Sequence, residues 1–345
     1  MIVRNLYAGP DFCAVEENGK LVEYLEKENA SYSGIILGGK VERLMPGIGC
    51  AFVDIGRKTS GFLPLKENSL SFGGSTLRSG MLLPVQIKKE ETGEKGAFLT
   101  RDLAIPGGTL LLMPMNRYIG VSNRITDVNQ RAELRALGKS LAGDSFGLVL
   151  REAALGAGRT QLEQEFIELK ELWEQIAWRI REGFSPGQVL YQPDPLDQMK
   201  KDYELRGISG ISETQELPAG LMRQLAEAKE RKIRLPGGGN IIIDKCEAMT
   251  VIDVNSGSAH SSSAGAGILF ETNLDACETI GRQIRLRDLG GMILIDFIDM
   301  DSDEERAQVE EKLRTVLRCD RRKTVIHGWT RLGILELTRK RTGRS

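Results

Sequence analysis

The sequence predicts a multidomain chain of mixed α+β and α/β class, and three observations predict it. From Gly34 to Thr100, short strands are punctuated by glycine, the texture of a small barrel. Between Asp127 and Glu182, two long segments carry apolar residues at helical spacing. From Asn240 onward, β-branched runs alternate with helical patterns, which reads as a strand-helix-strand layer. A length of 345 residues points to two or three domains.

Taken in order, residues 1–33 read as a meander: strands at Ile2–Tyr7, Phe12–Glu16 and Leu21–Leu25, the last two joined by Asn18-Gly19, a strong hairpin signal. The piece is too small to own a core, so it pairs with something later in the chain. The barrel strands are Ile35–Leu37, Val41–Leu44, Cys50–Ile55, Gly61–Leu65, Leu82–Lys88 and Ala97–Thr100. The run Gly49-Cys50-Ala51-Phe52-Val53-Asp54-Ile55-Gly56, followed by Gly61-Phe62-Leu63-Pro64, resembles the S1 RNA-binding domain, an OB-fold. Rings on such a face stack bases, with Lys58, Lys88 and Lys95 placed to track a phosphate backbone; alternatively, Phe52 and Phe62 are core.

A strand at Thr109–Met113 follows, then a helix from Asp127 to about Ala142 capped by Thr126, a strand at Gly147–Arg151, and a long helix opened by Thr160-x-x-Glu163. Its stripe of Leu162, Phe166, Leu169, Trp173, Ile176 and Ile180 is a packing face. Gly138-Lys139-Ser140 is no phosphate loop, because Glu133 stands where its first glycine belongs. Residues 183–216, with Pro186, Pro193 and Pro195, read as a connector, and a basic helix covers Ala219–Arg234. Gly237-Gly238-Gly239 turns the chain into a strand at Asn240–Asp244, and Ser256–Gly267 forms a mobile loop. Ser302-x-x-Glu305 caps a helix to about Cys319, and strands at Thr324–His327 and Gly333–Thr338 complete the layer.

No apolar run approaches the roughly 18 residues of a membrane helix and Met1-Ile2-Val3-Arg4-Asn5 begins no signal peptide, so the cytoplasm is expected. Five scattered cysteines, with no C-x-x-C, suggest free thiols. The net charge of -1 hides an uneven distribution: Arg321 to Ser345 holds eight basic residues against Glu336 alone. Such a tail is either a local phosphate-binding patch or a solvated terminus.

The chemistry concentrates in Met249-Thr250-Val251-Ile252-Asp253-Val254-Asn255-Ser256 and Met292-Ile293-Leu294-Ile295-Asp296-Phe297-Ile298-Asp299-Met300, separated by a helical pattern over Leu269–Leu289. A strand-helix-strand unit makes the two strands parallel neighbours, with Asp253 and Asp296 at the same sheet end, where ligands of open α/β sheets collect. Alternation points Asp253 and Asn255 to one face and Ile252 and Val254 to the core; Asp299 faces away unless the strand bends. Two carboxylates and an amide form an oxygen-ligand set suited to Mg²⁺. The competing reading is that these aspartates merely cap turns.

Ile252-Asp253-Val254-Asn255-Ser256, Thr272-Asn273-Leu274, Arg285-Leu286-Arg287-Asp288-Leu289-Gly290-Gly291, Ile295-Asp296-Phe297-Ile298-Asp299-Met300 and Arg331-Leu332-Gly333-Ile334-Leu335-Glu336 together resemble the catalytic region of the ribonuclease E/G family. The resemblance implies a Mg²⁺-dependent endoribonuclease that cuts single-stranded RNA to 5′-monophosphate and 3′-hydroxyl ends, in RNA processing and mRNA decay. It implies metal ligands at Asp253 and Asp296, an orienting amide at Asn255, and RNA contacts at Phe52, Phe62 and Lys95. A 5′-phosphate sensor would use Gly107, Leu111, Arg151, Glu152 and Lys323. The implied domains are an N-terminal segment 1–33 joined with about 183–228 as a reduced ribonuclease-H-like part, an S1 barrel at 34–104, a sensor subdomain at 105–182 and a DNase I-like catalytic domain at 229–345.

Three departures qualify the implied picture. The cysteines through which the family shares Zn²⁺ between two subunits do not occur before Ser345, which leaves a homodimer or higher homo-oligomer open. The connector is shorter than in the enterobacterial enzymes. In the sensor, Glu152 stands where a threonine hydroxyl is expected and Lys323 replaces an arginine. Two other functions compete: an RNA-binding module inactive in this form, and a broader Mg²⁺-dependent phosphodiesterase, since two carboxylates on a metal do not choose a sugar.

Overall fold

The computed structural model describes residues 3–29, 33–66, 77–91, 94–205, 207–257 and 266–341. They divide into two compact units, Met1–Glu26 with Ile208–Thr342, and Lys27–Gly207.

The chain starts in the first unit with β1 (Arg4–Ala8), β2 (Phe12–Glu17) and β3 (Lys20–Glu26), then enters the second. There β4 (Ile36–Met45), β5 (Cys50–Asp54), β6 (Gly61–Pro64), β7 (Leu82–Lys89) and β8 (Phe98–Thr100) pair in the order β4-β5-β6-β8-β7, and β7 returns to β4. This is a closed five-stranded barrel of the OB type, filled by Val41, Ala51, Val53, Leu63, Val85, Ile87 and Leu99. A second layer follows: β9 (Ile105–Pro106), β10 (Leu110–Met113), β11 (Ile119–Val121), α1 (Val128–Ala142), β12 (Gly147–Leu150) and α2 (Arg159–Glu182). Its sheet, β11-β12-β10-β9, buries Leu110, Leu112, Leu148 and Leu150 in one cluster with Leu162, Leu169, Trp173 and Ile176 of α2. The unit closes with β13 (Val189–Tyr191), which adds to β4, and α3 (Pro195–Glu204).

Back in the first unit, β14 (Gly210–Glu213) pairs parallel with β1, and α4 (Ala219–Glu227) packs beneath β3. The N-terminal meander therefore finds its expected late partner. The last six strands are β15 (Lys232–Arg234), β16 (Asn240–Lys245), β17 (Met249–Asn255), β18 (Gly291–Asp296), β19 (Thr324–Trp329) and β20 (Ile334–Arg339), with α5 (Ala266–Leu286) and α6 (Asp303–Leu317) between them. They form a sheet in the order β15-β16-β17-β18-β20-β19, in which only β17 and β18 run parallel. Both helices cover one face, burying Ile252, Val254, Ile293 and Ile295 against Ile280, Ile284, Val309 and Leu313. The other face stays open and carries the polar alternates of β17 and β18.

Several expected elements differ, each for a local reason. Ile35–Leu37 and Val41–Leu44 are one strand, β4, because Gly38 is a close-approach site: a Cβ there would meet the Ser185 carbonyl at 2.4 Å. The connector is structured after all. Asp194 caps α3 by accepting from the Leu196 and Asp197 amides, Pro195 opens the helix, and Leu196, Met199 and Tyr203 are buried. Residues 208–228 share a sheet and core with the N-terminal meander, whereas 183–207 belong to the other unit. The basic helix stops at Glu227, and Lys232–Arg234 becomes an edge strand with only Ile233 turned inward. Asp127, not Thr126, caps α1 by accepting from the Gln130 amide, and α2 starts at Arg159 behind Gly158, so Thr160 caps nothing. Ser302 does cap α6, accepting from the Glu305 amide. The expected mobile loop at Ser256–Gly267 falls mostly on 258–265, outside the described residues, as does Arg344.

Among the described residues no cysteine forms a disulfide, and Cys13, Cys50 and Cys277 are buried. Among the described residues no helix is long and apolar enough to cross a membrane.

Candidate active site

Asp253 and Asp296 are direct cross-strand partners in the parallel pair β17–β18, at the carboxyl ends of both strands. Thr250, Ile252 and Val254 are buried while Val251, Asp253 and Asn255 are not, the alternation that puts Asp253 and Asn255 together on the open face. The Asn255 amide donates to Asp253 Oδ2 at 2.7 Å. Behind it, the Gly237-Gly238-Gly239 turn presses on the end of β17: a Cβ at Gly239 would lie 2.4 Å from the Asn255 carbonyl, and its φ is +80°. Only glycine fits there.

Partial burial, then the neighbouring charges of Asp253 and Asp299, push the Asp296 carboxyl above its usual range. Asp299 lies just past the end of β18 at Asp296, near enough for its charge to be felt there. The segment after β18 is held by Asn273 of α5, fully buried, which donates to the Ile298 carbonyl at 2.8 Å and accepts from the Ile298 amide at 3.0 Å. A mid-helix asparagine facing a core is the one sequence signal that marks this clamp. Beside Asn255, a cavity of about 270 Å³ is lined by Lys232, Asn240, Ile242, Asn255, Ser256 and Gly257.

In the barrel, Phe52 and Phe62 stand outside the core cluster. They meet edge to face at 6.4 Å, Phe62 stacks on Phe98 at 5.5 Å, and the Arg43 guanidinium sits 5.4 Å from the Phe52 ring. A cavity of about 620 Å³ is lined by all three rings together with Lys95 and Lys89. Phe98 escaped the sequence reading, although Ala97 and Leu99 on either side are core and alternation places it outward.

Around the proposed sensor residues the side chains engage one another. Arg151 donates to the carbonyls of Gly107 (2.7 Å) and Gly108 (3.0 Å) and to Asp202 Oδ1 (3.0 Å). The Glu165 carboxylate accepts from the Thr109 amide and hydroxyl. Glu152 pairs with Arg124 at 3.2 Å. Leu111 lies opposite Val149 in the β10–β12 pair. Lys323 belongs to the other compact unit.

A sequence profile described as the Ribonuclease E/G family matches residues 104–216 and 213–342. Ribonuclease G of Haemophilus influenzae is 32% identical, over 96% of this chain and 77% of its own length. Ribonuclease G of Escherichia coli K12 is 31% identical over 95% and 77%. This chain belongs to the ribonuclease E/G family. Ribonuclease E of Escherichia coli K12 is 34% identical over 89% of this chain, which matches only 33% of that longer protein.

The motif strings that carried the resemblance have separable roles in the fold. In Arg285-Leu286-Arg287-Asp288, Arg285 grips Glu17 of β2 with two hydrogen bonds of 3.1 and 3.0 Å, and Asp288 accepts from Arg322 and Arg339. Arg339 also forks onto Asp320, with both side chains 1% exposed. The basic tail is therefore not a uniform surface patch: Arg321, Arg322 and Arg339 are ion-paired inside the unit.

Proposed function

We propose that this chain is an endoribonuclease that hydrolyses single-stranded RNA at the Asp253–Asn255–Asp296 site, in a Mg²⁺-dependent reaction leaving 5′-monophosphate and 3′-hydroxyl ends. Membership of the ribonuclease E/G family supports an RNA-processing phosphodiester hydrolase. The observation that carries the finer reading is the in-register pairing of Asp253 with Asp296 on an open sheet face, with the Asn255 amide against Asp253.

The donor set fits a hard cation. Asp253 and Asp296 offer carboxylate oxygens from adjacent strands, and the like charges gathered there are relieved by a bound cation. Among the described residues no cluster of three or more acidic, histidine or cysteine side chains builds a full cage. Mg²⁺ suits such a partial site because it keeps waters and shares substrate phosphate oxygens. When bound, the ion supplies Lewis acidity and lowers the pKa of coordinated water.

The chain's own residues do the rest. One N–H of the Asn255 amide fixes the Asp253 carboxylate, and the other remains to orient a non-bridging phosphate oxygen. The Asn273 clamp sets where Asp296 and Asp299 stand relative to each other. Phe52, Phe62 and Phe98 offer faces for unstacked bases, which single strands supply and duplexes do not, with Lys95 beside them for backbone charge.

The test is substitution of the paired acids. Asp253→Asn and Asp296→Asn are nearly isosteric, so the fold and RNA affinity should persist while cleavage falls by at least about a hundredfold, equivalent to several kcal/mol of barrier. Near-wild-type turnover of either variant at saturating Mg²⁺ removes that residue from the site.

A further inference from the structure

The edge strand β15 carries two cations with no role so far. Its register with β16 pairs Lys232 with Ile242 and Arg234 with Asn240, and β16 in turn pairs Ile242 with Asp253 and Asn240 with Asn255. Cross-strand partners share a face, so two parallel rows cross the open side of the sheet: Lys232–Ile242–Asp253–Asp296 and Arg234–Asn240–Asn255. With strands about 4.8 Å apart, the backbone of Lys232 is roughly 10 Å from that of Asp253 along its row. The cavity beside Asn255 lies between the two rows, with Lys232 on its rim.

Charge makes the arrangement pointed. An RNA strand arriving at Asp253, Asp296 and Asp299 brings more negative charge to a site that is already acidic. Arg231, next along, is committed to Asp244 through two contacts of 2.6 Å. Lys232 and Arg234 are exposed, and among the described residues no ion pair engages either.

We propose that β15 is a backbone rail for the substrate: Lys232 and Arg234 bind phosphates of the RNA strand flanking the one presented to Asp253 and Asp296, and a nucleoside of that strand occupies the cavity beside Asn255. This rests on the reading of the site as an RNA-cleaving one. Cations on an edge strand also guard against unwanted strand pairing, and that role predicts nothing about RNA affinity or its salt dependence.

The experiment measures both. Affinity of a single-stranded oligouridylate is followed across a salt series in a chelator, so that no cleavage occurs, for wild type, Lys232→Gln, Arg234→Gln and the double variant. kcat and KM are then taken with Mg²⁺ on the same preparations, and melting temperatures confirm the fold. Each phosphate contact to a single strand contributes about 0.7 to the slope of log affinity against log salt. The rail predicts that each single variant flattens the slope by about that amount and the double variant by about twice it. KM should rise severalfold while kcat at saturating RNA stays within about twofold. Slope, affinity and KM all unchanged in a folded double variant would overturn the rail while leaving the cleavage reading intact. Wild type that fails to cleave RNA with Mg²⁺ would instead overturn the reading on which the rail rests.

Discussion

A terminal phosphate reaching Arg151 meets a guanidinium that already donates to the Gly107 and Gly108 carbonyls and is paired with the Asp202 carboxylate, an anion that repels it. Two further acids stand close in the fold, Glu165 on Thr109 and Glu152 on Arg124. A bidentate arginine is a strong phosphate ligand only when its fork is open. Discrimination between 5′-monophosphorylated and 5′-hydroxylated RNA is therefore expected to be weak, below about tenfold in kcat/KM, or roughly 1.4 kcal/mol. Glu152→Thr and Asp202→Asn, which remove competing charge, should raise it. A preference above tenfold in wild type, unaltered by either substitution, contradicts this. The resemblance implies a hydroxyl where Glu152 stands, but the sequence does not say where the Glu152 carboxylate goes, because Asp202 and Arg124 are distant in the chain and become neighbours only through the fold.

Strands β17 and β18 were legible because period-two alternation and a helix-length spacer both survive in the primary structure. Those two signals sufficed to bring Asp253 and Asp296 to the same sheet end on neighbouring strands, and the register then sets them directly opposite. Asn273 was not read as a clamp: a polar residue on the core side of a helix signals a buried partner without saying which, and the partner loop begins where β18 stops. Likewise β15 looked helical because Ala219–Glu227 is helical and no glycine or proline interrupts the chain between Glu227 and Pro236, while pairing with β16 decides its conformation. In the barrel, alternation assigns Phe52, Phe62 and Phe98 to one outer face. Each truncated to alanine should weaken single-stranded RNA binding by about 1 to 3 kcal/mol, with little loss of melting temperature. Calorimetry and affinity on the same samples check this. A destabilised protein with unchanged affinity returns the rings to a packing role.

Across the unit that carries Asp253 and Asp296, buried ion pairs tie the elements together. At Asp320, burial opposes ionisation but is outweighed by the hydrogen bonds and charge of Arg339, so the carboxyl titrates below its usual range. Glu17 shifts the same way: burial is outweighed by Arg285 and Arg4. Depressed carboxylates contribute stability that is fully present above their unfolded pKa, near about 4, and is lost as pH falls through the folded values. Urea midpoints should hold at neutral pH and fall in acid. Asp320→Asn should cost about 1 to 3 kcal/mol at neutral pH, because the buried Arg339 keeps only Asp288 as a charged partner, and should flatten the acid slope. An Asp320→Asn profile parallel to wild type would deny the pair this role. For the molecule as a whole, the most direct measurement incubates matched fluorescent single-stranded RNA and DNA with the full chain in Mg²⁺, then in excess chelator, and identifies the product ends. The account predicts internal cleavage of the RNA that chelator abolishes, giving 5′-monophosphate and 3′-hydroxyl ends. Equal cleavage of the DNA, or RNA cleavage that survives chelation, would contradict it.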